Sequence, residues 1–382
     1  MGGSAVRLLA TADVHLGARD TLFGEAAGRM REARRRFVRE LPELARRHEV
    51  AALIIAGDLF DSPQVVPEEG KYVTECLEAL ARDRVFVVLV PGTHDGQVRF
   101  RDLGPARVLD RSDFGGCEVV ECAGRPVHFY GGAYDPLETP ADFLAPLRRP
   151  KESGFHVAVL HASVGEEAAR YERRDLPVAP EQLAECGCQY AALGHFHSFR
   201  RVEVGGRLVG AYPGTPVPRK FSESGPRCVA LVELTEGGAT LTPVVLRSPW
   251  TQTQTLEVTG MQDLDSVTAA CLRPHQGAAA ESLADLFLEL TLRGTWELAT
   301  ETPADLEASL GARLGGLRLQ DETHRLDSAY VEHLAEQPTP EGTFVRLLRE
   351  RQARAPESES AGYERALVEG LSVIESIRRE AR

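Results

Sequence analysis

Aspartate and histidine recur in this sequence at points where short apolar runs end. The residues in question are Asp13, His15, Asp58, Asp61, His94, Asp95, His161, His195 and His197. Two pairs among them are spaced two residues apart, so the side chains of each pair point to one side of an extended segment. A single residue of this kind would be an ordinary turn residue or helix cap. Their repetition at several strand ends favours one shared site.

The residue types narrow the chemistry of that site. Carboxylates and imidazoles without a thiolate suit divalent Mn, Fe or Zn better than Ca or Mg. The donors outnumber those that one tetrahedral zinc ion would use. Two ions that share a carboxylate, at roughly 3.5–4 Å from each other, would use them all. Such a pair lowers the pKa of a bound water and clamps phosphoryl oxygens, so the predicted reaction class is phosphoester hydrolysis.

The elements around these residues predict an α/β fold. Helical periodicity over 29–48 and 69–82 alternates with apolar strands, which is typical of parallel strands joined by right-handed crossovers. After Cys117 the strands follow one another more closely, which favours a two-sheet sandwich over a doubly wound sheet. The carboxyl ends of parallel strands share one edge, where the candidate residues would meet.

Changes in pattern along the chain predict three parts. We expect the sandwich over 1–249, a small α+β domain over 250–325 and a helical tail over 326–382. The segment DLFLELTLRGTWELA within the second part predicts a strand or a hairpin.

Composition and charge limit the classes of protein to which this chain can belong. With 382 residues, 43% hydrophobic and 26% charged, the chain is typical of a soluble globular protein. It has no apolar run as long as a membrane span and no pattern of a secretory signal, so we expect no membrane association. Seven scattered cysteines indicate buried thiols in a reducing cytoplasm. The net charge of -13 argues mildly against a protein that coats nucleic acid, and an arginine-rich run over 29–39 is expected to be a solvated helix face.

Five motifs stand in a fixed order along the chain. They are DVH (13–15), GDLFD (57–61), GTHD (92–95), His161 and GHFH (194–197). This set resembles the motifs of the calcineurin-like metallophosphoesterases. Within that superfamily, ADVHLGA, IIAGDLFDSP, AALGHFHS and YPGTP with FSESG are similar to SbcD-type nucleases of DNA double-strand-break repair, including the YhaO-like branch.

The resemblance implies roles for individual residues. One metal ion would be held by Asp13, His15, Asp58 and His197. A second would be held by Asp58, Thr93, His161 and His195. His94 would stabilise or protonate the leaving oxygen, with Asp95 as its orienting partner. Thr93 departs from the family pattern, which has Asn there, and a hydroxyl coordinates more weakly than an amide oxygen.

The resemblance further implies a function and partners. The chain would be a nuclease with two Mn²⁺ ions that acts on DNA ends together with an SbcC-like, SMC-type ATPase, and the second domain would be a cap that helps choose the DNA. A homodimer is also compatible with it. Two alternatives stay open: a phosphodiesterase or phosphatase for small molecules, and a binding protein whose site is weakened by Thr93.

The tail carries two apolar stripes. Thr339 and Pro340 are start signals for a helix. The stripes consist of Phe344, Leu347 and Leu348, and then of Tyr363, Leu367, Leu371, Ile374 and Ile377. They could pack on the chain itself. The resemblance implies instead a helix pair over 339–382 that binds the ATPase.

Overall fold

The computed structural model of this chain describes residues 5–64, 67–96, 98–122, 124–140, 142–144, 153–165, 176–261, 263–275, 283–296, 301–324, 328–356 and part of 359–374. The chain divides into two compact units, Met1–Gln252 and Thr253–Arg382.

The first unit contains two β-sheets. Sheet one is built from β1 (Val6–Thr11), β2 (Ala52–Ala56), β3 (Phe86–Val90), β4 (Arg107–Val108), β12 (Cys228–Thr235) and β13 (Gly238–Val245). Its order is β13-β12-β1-β2-β3-β4. Strands β1 to β4 run parallel, whereas β12 is antiparallel to β1 and β13 to β12.

Sheet two is mixed in the same way. It is built from β5 (Gly116–Cys122), β6 (Arg125–Gly131), β7 (Phe155–Val164), β8 (Leu176–Val178), β9 (Tyr190–Gly194), β10 (Arg200–Val204) and β11 (Arg207–Tyr212). Its order is β10-β11-β9-β7-β6-β5, with β8 beside β7. The neighbours β6, β7, β9 and β11 are parallel.

Alternate residues of each central strand enter different cores. In β2, Ile54 lies in the cluster between the sheets, whereas Leu53 and Ile55 lie in the cluster beneath the helices. The helices concerned are α1 (Ala27–Arg47) and α2 (Pro67–Arg82), and α3 (Pro180–Glu185) covers sheet two. Burial on both faces explains why these strands read as continuous apolar runs. The predicted two-sheet α/β sandwich is confirmed.

Helix α1 has one buried face, and that face includes a charge. Met30, Phe37, Leu41 and Leu44 recur at helical spacing and are buried. Arg34 lies among them with a side-chain exposure of 1% and forms an ion pair with Asp20, which is equally buried. The expectation of a solvated arginine face is therefore wrong for Arg34.

The second unit begins within a strand. It contains the last part of β14 (Trp250–Glu257), and then α4 (Leu264–Leu272), β15 (Leu286–Thr295), α5 (Pro303–Gly311) and β16 (Gly316–His324). The sheet order is β14-β15-β16, with β15 and β16 parallel. The segment predicted to be a strand or a hairpin forms the single strand β15 over its described residues. Helix α5 starts at a capping box in which Thr302 and Asp305 bond each other's main-chain N–H groups.

The last described elements form a helical hairpin, α6 (Ser328–Glu336) and α7 (Pro340–Gln352). The Thr339 hydroxyl caps α7 by accepting from the Gly342 N–H at 3.2 Å. Part of the predicted stripes is buried here, in a cluster of Val331, Leu334, Val345, Leu367 and Leu371. Leu347 stays 56% exposed, and Ile377 lies outside the described residues.

None of the described helices combines the length and the apolar character that crossing a membrane requires.

Candidate metal centre

The candidate residues converge at the carboxyl ends of strands from both sheets. Asp13 and His15 follow β1, Asp58 follows β2, residues 93–95 follow β3, and His195 and His197 follow β9. His161 lies within β7, in register with Gly194 at the end of β9. The two β-sheets thus bring segments that are far apart in sequence to one place.

Several of these residues have left-handed backbone conformations, which are uncommon outside glycine. The φ angles are 54° at Asp13, 52° at His15, 51° at Asp58 and 108° at His195. Such residues cost on the order of 1–3 kcal/mol each and persist only where the surroundings fix them. The main-chain N–H groups of Asp13 and His15 donate to the carbonyls of Gly57 and Asp58, each at 3.0 Å.

Two glycines permit the close approach of the β2 and β3 ends. A Cβ on Gly92 would lie 2.2 Å from Asp58 Oδ1, and a Cβ on Gly57 would lie 2.3 Å from His161 Nδ1. Gly57 also has a φ of 88°. The GD and GT pairs of the sequence are therefore spatial requirements of the site.

Asp13, His15 and His197 form the first group of donors, with atoms within 4.8 Å of one another. Nε2 of His15 lies 3.2 Å from Nε2 of His197, and the latter lies 4.0 Å from Asp13 Oδ1. Two imidazole nitrogens that both ligate one ion at about 2.1 Å are separated by roughly 3.0–3.4 Å. The spacing therefore fits a shared metal ion.

The histidine ring of His197 is oriented by a carboxylate. Glu223 accepts a hydrogen bond from His197 Nδ1 at 2.7 Å, which leaves Nε2 as the ligating atom. Burial is the largest single influence and would raise the pKa of Glu223, but the hydrogen bond and charge of His197 together with main-chain N–H donors lower it, and the net shift is downward.

Asp13, Asp58 and His161 form a second, fully buried group. His161 Nδ1 donates to the Ala56 carbonyl at 3.0 Å. Its Nε2 is buried without a hydrogen-bond partner and lies 3.4 Å from Asp58 Oδ2. A buried nitrogen rarely lacks a partner, so this atom fits a metal ligand. His195 is in none of the groups found among the described residues, although its ring centroid lies 5.5 Å from that of His161.

Asp58 is common to groups on both sides of the site. It joins His15 and His94 in one group and Asp13 and His161 in another. Burial would raise its pKa, but the adjacent His161 and His15 reverse this, and the pKa is lowered. Burial raises the pKa of Asp13 to about 6 and lowers that of His15 to about 3. His15 is thus neutral near pH 7, as a ligand must be.

Thr93 and His94 are exposed and line an open cleft of about 990 Å³. The His94 N–H donates to Asp58 Oδ1 at 2.8 Å, and its ring Nδ1 lies 3.1 Å from the Asp61 carbonyl. His94 therefore lies directly above the shared carboxylate.

Asp95 does not contact the His94 ring in the described structure. It is buried, and its carboxylate accepts from the main-chain N–H groups of Phe60 and Gly92, each at 2.8 Å. The carboxylate beside the His94 ring is that of Asp61, 3.7 Å from Nδ1. The structure thus does not show the predicted pairing, because Asp95 is buried against main-chain donors whereas His94 is exposed.

Three charged residues of the site were missed or underrated by sequence reasoning. Asp61 lies 3.3 Å from His15 Nδ1 and 2.7 Å from Arg219 Nη2. Arg219 and Glu223 belong to the segment around FSESG, which the resemblance had marked without a role. The GDLFD motif was the available signal for Asp61, whereas nothing local indicated Arg219.

Residues 6–199 match the family model described as calcineurin-like phosphoesterase. The chain belongs to that family. The predicted family and enzyme class, a dinuclear-metal phosphoesterase, are confirmed, and the donor set fits the two divalent ions that this family uses.

Curated relatives of this calcineurin-like phosphoesterase include nucleases. It is 30% identical to the SbcD component of the nuclease SbcCD of Rhodobacter capsulatus over 89% of this chain and 94% of that protein. It is 27% identical to the uncharacterized metallophosphoesterase YhaO of Bacillus subtilis, over 55% of this chain and 52% of that protein. It is 28% identical to the DNA double-strand break repair protein Mre11 of Methanopyrus kandleri, over 57% of this chain and 50% of that protein. The chain thus spans about half the length of the latter two.

We expect Asp95→Asn to lower the free energy of unfolding by about 1–3 kcal/mol, because an amide nitrogen would face a main-chain N–H and leave it unpaired. Chemical denaturation measures this, with Asp102→Asn at an exposed position as the control. Unchanged stability together with a large loss of activity would instead assign Asp95 to the chemistry.

Proposed function

We propose that this phosphoesterase is a Mn²⁺-dependent nuclease that hydrolyses phosphodiester bonds at DNA ends. The observation that carries the proposal is that Asp58 belongs to two donor groups, one with His15 and His94 and one with Asp13 and His161, beneath an open cleft. The similarity to the SbcD component of an SbcCD nuclease along nearly its whole length supports DNA as the substrate. Mixed nitrogen and oxygen donors suit Mn²⁺.

The proposed ligand sets are those that the resemblance implies, and the donor groups overlap with them in part. The first ion would be held by Asp13, His15, Asp58 and His197. The second would be held by Asp58, Thr93, His161 and His195. When bound, such a pair supplies Lewis-acid polarisation of a phosphoryl group and a nucleophile derived from water at neutral pH. The protein keeps His15 neutral by burial and orients His161 and His197 through their Nδ1 hydrogen bonds.

His94 is the proposed proton donor to the leaving oxygen. Its Nδ1 is engaged by the Asp61 carbonyl, so the proton would leave from Nε2. Its main-chain N–H is bonded to Asp58, which fixes the ring near the proposed ligands. A ring nitrogen also lies close to donor atoms of His15 and Asp58, so metal analysis of His94→Ala separates a proton donor from a ligand.

The alternative function, a phosphodiesterase or phosphatase for small molecules, would use the same metal centre. The cleft is open, so it can admit an extended substrate, and its lining carries the cations Arg19, Arg219 and Lys220 as well as four carboxylates. A hydrolysis assay with Mn²⁺ that compares linear DNA with bis-p-nitrophenyl phosphate separates the two. Cleavage of the small diester without any cleavage of DNA would reject the nuclease proposal.

The remaining parts of the chain have proposed roles as well. The domain over 250–325 would act as the cap that helps select the DNA, and the tail from 326 would bind an SMC-type ATPase. Two apolar side chains of the tail support a docking surface, since Leu347 and Val373 are each 56% exposed. A cytoplasmic location completes the proposal.

Asp58→Asn should abolish hydrolysis and reduce bound metal, because Asp58 is the proposed ligand of both ions and belongs to two of the donor groups. His94→Ala should keep the metal and lower turnover by about 10²–10⁴-fold. Metal analysis of the purified variants checks both. Loss of metal in His94→Ala would show that His94 is a ligand, contrary to its assigned role.

Thr93→Asn should strengthen one of the two metal sites, because an amide oxygen coordinates better than a hydroxyl. Calorimetric titration with Mn²⁺ should show tighter binding at that site, and activity should rise at limiting Mn²⁺. Two equally tight sites in the unchanged protein, unaffected by the substitution, would refute the expectation.

Leu347→Glu should prevent co-purification with an SMC-type ATPase while nuclease activity persists, because it places a charge on the exposed apolar side of α7. Leu137→Glu, at a leucine of the first unit that is 94% exposed, is the matched control. Undiminished co-purification of the Leu347 variant would remove α7 from the docking surface.

A further inference from the structure

Arg219 lies in the cleft and contacts residues of the first metal group. Its Nη2 is 2.7 Å from Asp61 Oδ1. Its Nη1 is 3.3 Å and 3.5 Å from the two ring nitrogens of His15. The side chain is 25% exposed and lines the cleft together with His94. A cation therefore lies between the proposed ligands and the space where a substrate would bind.

The main chain at this position is fixed by buried charges. Arg34 Nη2 donates to the carbonyl of Pro218 at 3.2 Å, and Arg34 itself is held by its buried ion pair with Asp20. The Arg219 N–H donates to Glu223 Oε2 at 2.7 Å. The other oxygen of the Glu223 carboxylate binds His197. The Glu223 carboxylate thus connects the Arg219 main chain to the proposed ligand His197 and holds the two at a fixed distance.

The guanidinium group of Arg219 has donors to spare. It carries five N–H groups, and one carboxylate oxygen of Asp61 does not use them all. Arg34, by contrast, is enclosed and occupied by Asp20 and two carbonyls. A planar fork of donors matches the oxygens of a phosphate better than a point charge does.

We propose that Arg219 binds a non-bridging oxygen of the scissile phosphodiester and stabilises the negative charge that develops there during hydrolysis. This inference rests on the proposed function and names the residue that recognises the phosphate. Asp61 holds the guanidinium in place, and the remaining N–H groups serve the substrate.

The experiment compares Arg219→Ala and Arg219→Lys with the unchanged protein in Mn²⁺. Arg46→Ala is the matched control, because Arg46 also forms an Arg–Asp pair, 3.1 Å from Asp83. It lies at the end of α1, shortly before β2 begins, and thus near the amino end of that strand, whereas the site lies at the carboxyl ends.

We expect Arg219→Ala to lower kcat by about 10²–10³-fold on linear DNA and on bis-p-nitrophenyl phosphate alike. Bound metal should be unchanged, and added guanidinium ion should restore part of the activity. The kcat of Arg219→Lys should lie between those of Arg219→Ala and the unchanged protein, and the kcat of Arg46→Ala should equal that of the unchanged protein. The affinity for inorganic phosphate, measured by calorimetry in Mn²⁺, should drop by about tenfold in Arg219→Ala.

Other outcomes would overturn the inference. Loss of metal in Arg219→Ala without rescue by guanidinium would mean that Arg219 only positions Asp61 and His15. A defect confined to DNA would place the contact away from the scissile group. The affinity for phosphate tests this inference separately from the proposed function. If the unchanged protein cleaved neither substrate, the proposed function would be rejected. Weaker phosphate binding in Arg219→Ala would still support the contact, whereas unaltered binding would reject it.

Discussion

The buried carboxylate of Asp58 is the constraint on which the rest of the site depends. A charge removed from water needs partners. The His94 N–H donates to the Asp58 carboxylate at 2.8 Å, and Nε2 of His161 and Nε2 of His15 lie 3.4 and 3.8 Å from it, where a bound metal ion would join them to the carboxylate. The β2 and β3 ends can approach this closely only because Gly57 and Gly92 lack side chains. Asp58 itself has a left-handed backbone conformation, with a φ of 51°.

The other acidic groups around the cleft follow the same principle, each in a different way. Asp20 is paired with Arg34, Asp61 with Arg219, and Glu223 with His197. The acidic balance of the chain thus coexists with a cleft in which individual carboxylates are matched locally. Net charge was therefore a poor guide to whether an anionic substrate fits this cleft.

Sequence reasoning could predict what depends on local pattern. The strand ends that carry Asp13, Asp58 and His195 were found because polar residues of metal-binding type interrupt apolar runs there, and the two-sheet fold followed from strand spacing. The pairing of His94 with Asp95 failed because adjacency in sequence says nothing about the direction of side chains in a turn. Arg219 was missed because its partners, at positions 15 and 61, are far away in sequence. The buried state of Arg34 was hidden for the same reason, since its partners lie in two loops.

The ion pair between Arg34 and Asp20 bears on the order in which the molecule takes shape. Arg34 joins a loop near the amino terminus to carbonyls at 217 and 218, and closure of so long a loop is slow compared with local helix formation. During synthesis Asp20 and α1 would both emerge early, whereas the carbonyls at 217 and 218 follow only after all of sheet two, so the ion pair could not be enclosed before then. The cleft is consequently among the last features of the first unit to be completed, and nascent chains that stop short of residue 223 would expose its acidic groups to water.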